Sequence, residues 1–179
     1  MENKPKKRSV VVKAEPGSVV LTPYVMARTA NDMFQMADAF PTGAEVPLAK
    51  YYVFCASIEI GMKAAILGND CTSENKKLIK SFGHNLCEVH DTFKQIYGSP
   101  WDKTERQAIA VINPYFKKKG LEYFTIDVLA ALVNGFSEVP DIQLIRVAAH
   151  KVNLFLHSQE FFFDATTSQK PKRGLLEFS

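Results

Sequence analysis

The sequence predicts an all-α protein, a bundle with a four-helix core and additional short helices, and three observations carry that prediction. Apolar residues recur at helical spacing through several long segments, the segment Tyr51 to Leu67 is apolar on nearly every side, and no strand-like alternation persists beyond residue 22. A helix that is apolar all round belongs in the middle of a bundle. No internal repeat of the kind that marks solenoids is present.

Residues 1–22 read as a flexible or extended arm, with Val10, Val11, Val12, Val19 and Val20 around Pro16-Gly17. The first helix is expected from Pro23 to about Phe40, where Val25, Met26, Ala30, Met33, Phe34, Met36 and Ala37 keep helical spacing and Pro41 with Gly43 ends it. The second runs from about Glu45 to Leu67 and stops at Gly68-Asn69; after Tyr51 its clearly polar residues are Ser57, Glu59 and Lys63. A third starts at Ser73-Glu74 and continues to about Tyr97, with Gly83 either bending it or dividing it in two. Gly98-Ser99-Pro100 breaks the chain before a fourth stretch, Asp102 to Lys119, which Pro114 is expected to interrupt or end early and Gly120 to close. Leu121 to Phe136 has moderate helical character. Pro140-Asp141 then opens a long last helix through about Phe163. The bundle domain is thus expected over 23–165, with a flexible tail at 166–179.

The chain has 179 residues, 22 Lys plus Arg against 19 Asp plus Glu, and 46% apolar residues, enough for one domain with a sizeable core. The basic excess sits at the ends: residues 9–169 carry 15 basic and 17 acidic side chains. The interior is therefore no basic platform for nucleic acid, its lysine groups being Lys117, Lys118, Lys119 and, more loosely, Lys76, Lys77 and Lys80. No run of roughly 18 consecutive apolar residues marks a membrane span, and the charged start at Met1 to Arg8 lacks an apolar segment behind it. Three cysteines, Cys55, Cys71 and Cys87, suit a reducing compartment rather than a disulfide framework, so a cytoplasmic location is the expectation.

Two groups of residues invite a chemical reading. Glu59 and Lys63 stand four apart in the favourable order for an intrahelical pair, on a helix otherwise apolar. They read as an internal ion pair or as a ligand contact, and buried charges need partners. His84, Glu88 and Asp91 fall on one face by helical spacing, and because an imidazole beside a buried carboxylate satisfies both groups, His84 is expected near Glu59 or Lys63. On the last helix Arg146, His150, Asn153 and His157 fall within about 60° of one another, while apolar residues fill nearly all the remaining circumference. That stripe is either a thin strip facing solvent or the lining of a cleft or symmetric dimer seam. In the second case two histidines beside an arginine can move protons and stabilise phosphate. His84, Cys87 and His90 do not make a zinc site, because on one helix His90 points away from the other two. No phosphate loop, nucleophile elbow, metalloprotease motif or calcium loop occurs, so neither metal nor cofactor is expected.

An early helix ending in Met36-Ala37-Asp38-Ala39-Phe40, the segment YYVFCASIEIGMKAAIL from Tyr51 to Leu67, and Gly83-His84-Asn85-Leu86 occur together here. That combination resembles the HEPN family, the higher eukaryotes and prokaryotes nucleotide-binding domain, over roughly residues 23–165. The resemblance implies a helical bundle that often dimerises, in a setting of toxin and antitoxin systems, phage defence or RNA processing, with RNA, a nucleotide or a protein as partner. Catalytic members carry an Arg and a His with four to six residues between them on the last core helix, a polar residue directly after the Arg, and cleave RNA without metal across a dimer. The nearest match here is Arg146 to His150, with three residues between them and Val147 in the polar position. The resemblance therefore implies a non-catalytic binding module, using Glu59, Lys63, His84, Asn153 and His157, ahead of a ribonuclease using Arg146 and His150.

Overall fold

The computed structural model describes residues 22–40, 48–119, 121 and 139–159. Six helices lie among them and no strand does: α1 (Pro23–Ala39), α2 (Leu48–Asn69), α3 (Ser73–Ser81), α4 (Leu86–Tyr97), α5 (Lys103–Lys117) and α6 (Ile142–Ser158). The expected arm, the segment after Leu121 and the chain beyond Gln159, including Phe161 to Phe163 and the tail, lie outside the described residues.

The all-round apolar character of α2 dictates its place. Phe54, Ile58, Met62 and Ile66 are fully buried, each contributing about 1.5–3 kcal/mol on transfer from water, and α2 packs against α1, α3, α4 and α6. It is long and apolar enough to cross a membrane by length and composition alone, yet most of it is covered by the other helices. The Lys50 ammonium donates to Phe40 O (3.2 Å) and Ser57 Oγ to Ala30 O (2.7 Å), so α1 and α2 run in opposite senses. Tyr51 Oη donates to Pro140 O (2.7 Å) and Asn153 Nδ2 to Ser57 Oγ (3.3 Å), so α6 runs with α2. Burial pushes the Tyr51 hydroxyl up to about 12 and raises the Cys55 thiol as well.

Of the two alternatives at Gly83 the structure takes division, while the shared face of His84 with Glu88 and Asp91 and the effect of Pro114 need correction. The helix expected over Ser73–Tyr97 is divided: Gly83 takes a left-handed φ of 53°, Asn85 N donates to Phe82 O (3.0 Å), and α4 begins afresh at Leu86. His84 sits in that turn and not on a helical face with Glu88 and Asp91. Pro114 does not stop α5, which continues to Lys117. The proline removes a single N–H, on the exposed side near Ala110, while Ile109, Ile112 and Phe116 bury the opposite face and hold the last turn in place. The preceding residue, Asn113, caps α4 from outside: its Oδ1 accepts from Leu86 N (2.8 Å) and its Nδ2 donates to Asn85 Oδ1 (3.1 Å).

The turn between α4 and α5 is tied to α6 by aromatic and polar contacts. Trp101, the chain's sole tryptophan, donates Nε1–H to Ala148 O (3.0 Å) and stacks on His90 at 4.7 Å, while His90 Nε2 bonds Ser99 Oγ (2.9 Å). Asp102 caps α5 in a reciprocal box with Glu105, whose buried carboxylate also accepts from Lys151 of α6 (2.6 Å). Burial holds the His90 imidazole below its ordinary 6.5, outweighing the attraction of Asp91; Lys94 and Arg106 act in the same sense as burial. The unfolded chain therefore takes up this proton first, and stability is lost as pH falls below about 6.5. We expect the melting temperature of the wild type to drop between about pH 7.5 and pH 5.5, and a His90→Gln variant to show a shallower drop. Parallel slopes in thermal melts of the two proteins would refute this.

Candidate functional site

The first group of sequence-predicted residues comes together as expected. Glu59 and Lys63 lie one turn apart on α2 with side chains only 8% and 10% exposed, and their ion pair is direct. Lys63 Nζ also donates to Gly83 O (2.7 Å), and His84 Nδ1 bonds the other Glu59 oxygen (2.9 Å). The buried carboxylate thus receives a partner on each oxygen, which is what its desolvation requires. The left-handed Gly83 turns the chain so that its carbonyl reaches Lys63 and the next residue reaches Glu59. Phe116 of α5 meets the His84 ring edge-on at 5.5 Å.

The stripe on α6 is taken apart by the helix's rotation about its own axis. Ile145, Ala148, Ala149, Val152 and Leu156 point into the core, which turns Asn153 inward, sets Arg146 at the boundary with α1, and leaves His150 and His157 outside. Asn153 joins three helices: its Nδ2 reaches Ser57 Oγ and Ala149 O (3.0 Å), and Ser57 in turn reaches Ala30 of α1. Its Oδ1 has no hydrogen-bond partner among the described residues. Asn153 is therefore a core residue rather than part of a solvent strip.

Arg146 grips Asp38 of α1 through two nitrogens, Nε and Nη2 (3.1 Å for the second). The hydrogen bond from Arg146 lowers the Asp38 pKa, with Lys50 and His150 adding smaller attractions, and Asp38 in turn raises that of Arg146. His150, one turn on, lies over the buried Phe34 of α1 at 5.5 Å. Asp38 and Phe34 are spaced four apart on α1 just as Arg146 and His150 are on α6, so the two antiparallel helices pair them in register. Neither partner was singled out from the sequence. Asp38 lies inside the MADAF segment, but nothing local ties it to a residue 108 positions away.

The remaining outward face of α6 is partly apolar. Gln143, Val147, His150, Leu154 and His157 are exposed and spaced four, three, four and three residues apart, with Val147 at 36% and Leu154 at 53% exposure. That is the spacing of a helix–helix seam. Among the described residues no group of three or more His, Cys, Asp or Glu side chains is arranged to hold a metal ion. No family model, no curated protein and no solved structure matches this chain.

Proposed function

We propose that the chain is a non-catalytic, HEPN-like helical binding module that pairs with a second copy of itself through α6 and so presents a composite surface to an RNA, nucleotide or protein partner. The observation that carries this reading is the engagement of Arg146 by Asp38 and of His150 by Phe34 within the same chain. A guanidinium already held on two nitrogens by a carboxylate is poorly placed to receive a phosphate. The exposed Val147 and Leu154, with His150 and His157 between and beside them, supply the self-complementary strip that a two-fold contact needs.

Sedimentation velocity tests the pairing. The wild type is expected to dimerise at micromolar concentration, and Leu154→Glu to weaken self-association by about a thousandfold, because a two-fold seam carries a hot-spot loss of about 2 kcal/mol twice. Leu154 is exposed, so the variant's melting temperature stays close to that of the wild type. A wild type that remains monomeric overturns the proposed pairing.

A metal-independent endoribonuclease is the second reading, favoured by the fact that Arg146 and His150 both reach the surface along the α1–α6 edge. Incubation with structured and single-stranded RNA in chelator separates the two. The binding module leaves the RNA intact, whereas cleavage that disappears in His150→Ala establishes the nuclease.

A further inference from the structure

In the turn between α4 and α5 one hydroxyl proton faces two acceptors. Ser99 Oγ lies 2.9 Å from His90 Nε2 and 3.1 Å from Trp101 O, and it accepts from Trp101 N at 3.2 Å. A serine hydroxyl donates once and accepts twice. The other imidazole nitrogen, Nδ1, faces the exposed Asp91 carboxylate at 3.6 Å. An ionised carboxylate can only accept, so the neutral ring keeps its proton on Nδ1 and presents a lone pair at Nε2. Ser99 then donates to Nε2, and the Trp101 carbonyl goes without the hydroxyl proton.

A proton added at Nε2 reverses this arrangement. The imidazolium donates to Ser99 Oγ, and Ser99 turns its own proton to Trp101 O, so the oxygen uses its one donor and both acceptor positions. Both charge states of the ring are thus hydrogen-bonded without the movement of a helix. The indole stacked on the imidazole at 4.7 Å, with ring planes 10° apart, meets a cation on its face in the charged state. Asp91 of α4 attracts that charge; Lys94 of α4, Arg106 of α5 and the burial of the ring oppose it. From α6 the turn meets the Ala148 carbonyl, which accepts from Trp101 Nε1.

We infer that His90, Ser99 and Trp101 form a proton-operated switch: proton uptake at His90 Nε2 rotates the Ser99 hydroxyl from the imidazole to the Trp101 carbonyl while the bundle stays folded. The proton comes from solvent, and no bond between heavy atoms forms or breaks. The stability that His90 withdraws as pH falls therefore levels off once the folded chain has itself taken up the proton. Through Ala148 the switch adjoins α6. It uses no residue of the exposed α6 strip, so its fate and that of the proposed pairing are decided separately.

Trp101 has no other tryptophan to obscure it, so its emission reports the stacked pair. The test is a fluorescence titration of the intact wild-type chain from about pH 8 to about pH 4, with far-ultraviolet circular dichroism followed in parallel. The expected result is reversible quenching of Trp101 by the charged imidazole, with a midpoint below the ordinary 6.5 and constant ellipticity. His90→Gln is expected to lose this step. Ser99→Ala removes the oxygen that accepts from the imidazolium, and is expected to weaken proton affinity about tenfold and lower the midpoint accordingly. Emission that changes only together with ellipticity, a step that persists in His90→Gln, or a midpoint that Ser99→Ala leaves in place or raises overturns the switch. The first of these is read on the wild type alone, so it does not depend on how any variant folds.

Discussion

Replacing Glu59 by alanine is expected to destabilise the fold by about 3–5 kcal/mol, read as a lowered urea midpoint at unchanged slope. The carboxylate is buried and accepts from Lys63 on one oxygen and His84 on the other, so its removal leaves an ammonium inside the bundle with the Gly83 carbonyl as its remaining partner. The cost comes from that stranded charge rather than from the net worth of the pair. A double variant, Glu59→Met with Lys63→Met, is accordingly expected to recover most of the loss, because the neighbouring α2 positions are apolar and methionine fills irregular space. A loss below about 1 kcal/mol for Glu59→Ala would mean that water reaches the pair, and that α2 is not the central helix.

Gly61, one turn before Ala65 on the same helix, is the second position where a large effect is expected. A Cβ there would lie 2.9 Å from Val152 Cγ1, 3.2 Å from Leu156 Cδ1 and 3.5 Å from Ala30 Cβ, so α1, α2 and α6 meet over a residue without a side chain. Alanine gains about 1 kcal/mol of helix propensity but forces a short-stemmed, buried valine to move, at a cost of about 1–3 kcal/mol. The net expectation is a modest loss for Gly61→Ala and a loss of about 3 kcal/mol or more for Gly61→Leu. The cause is checked by Val152→Ala, in whose background Gly61→Ala becomes neutral or stabilising. If the two substitutions are strictly additive in denaturant unfolding, the three helices do not close on Gly61.

Local pattern carried much of this protein. Glu59 and Lys63 announce their pairing through one-turn spacing on a helix with no other place for charge, and the need of a buried carboxylate for partners puts His84 beside them. The α1 and α6 segments were legible from their periodicity, and the start of α6 from Pro140-Asp141. Pro114 misled because the rule for proline concerns the backbone of its own turn. Whether the helix survives depends on what Phe116 and Ile112 bury on the other side.

The α6 stripe marks the boundary most sharply. Spacing placed Arg146, His150, Asn153 and His157 on one narrow arc, and they occupy it, but no pattern within the helix says which way the arc faces. The rotation is decided by how Val152 and Leu156 seat against Gly61 of α2, and a turn of well under a residue separates an inward Asn153 from an outward His157. The partners of Arg146 and His150 come from α1, more than a hundred residues earlier. Helix formation and the need to bury an apolar face are properties of neighbouring residues, so they can be read along the chain. The orientation of one helix against another is a property of packed volume and shared by all of them, and it came into view only with the folded bundle.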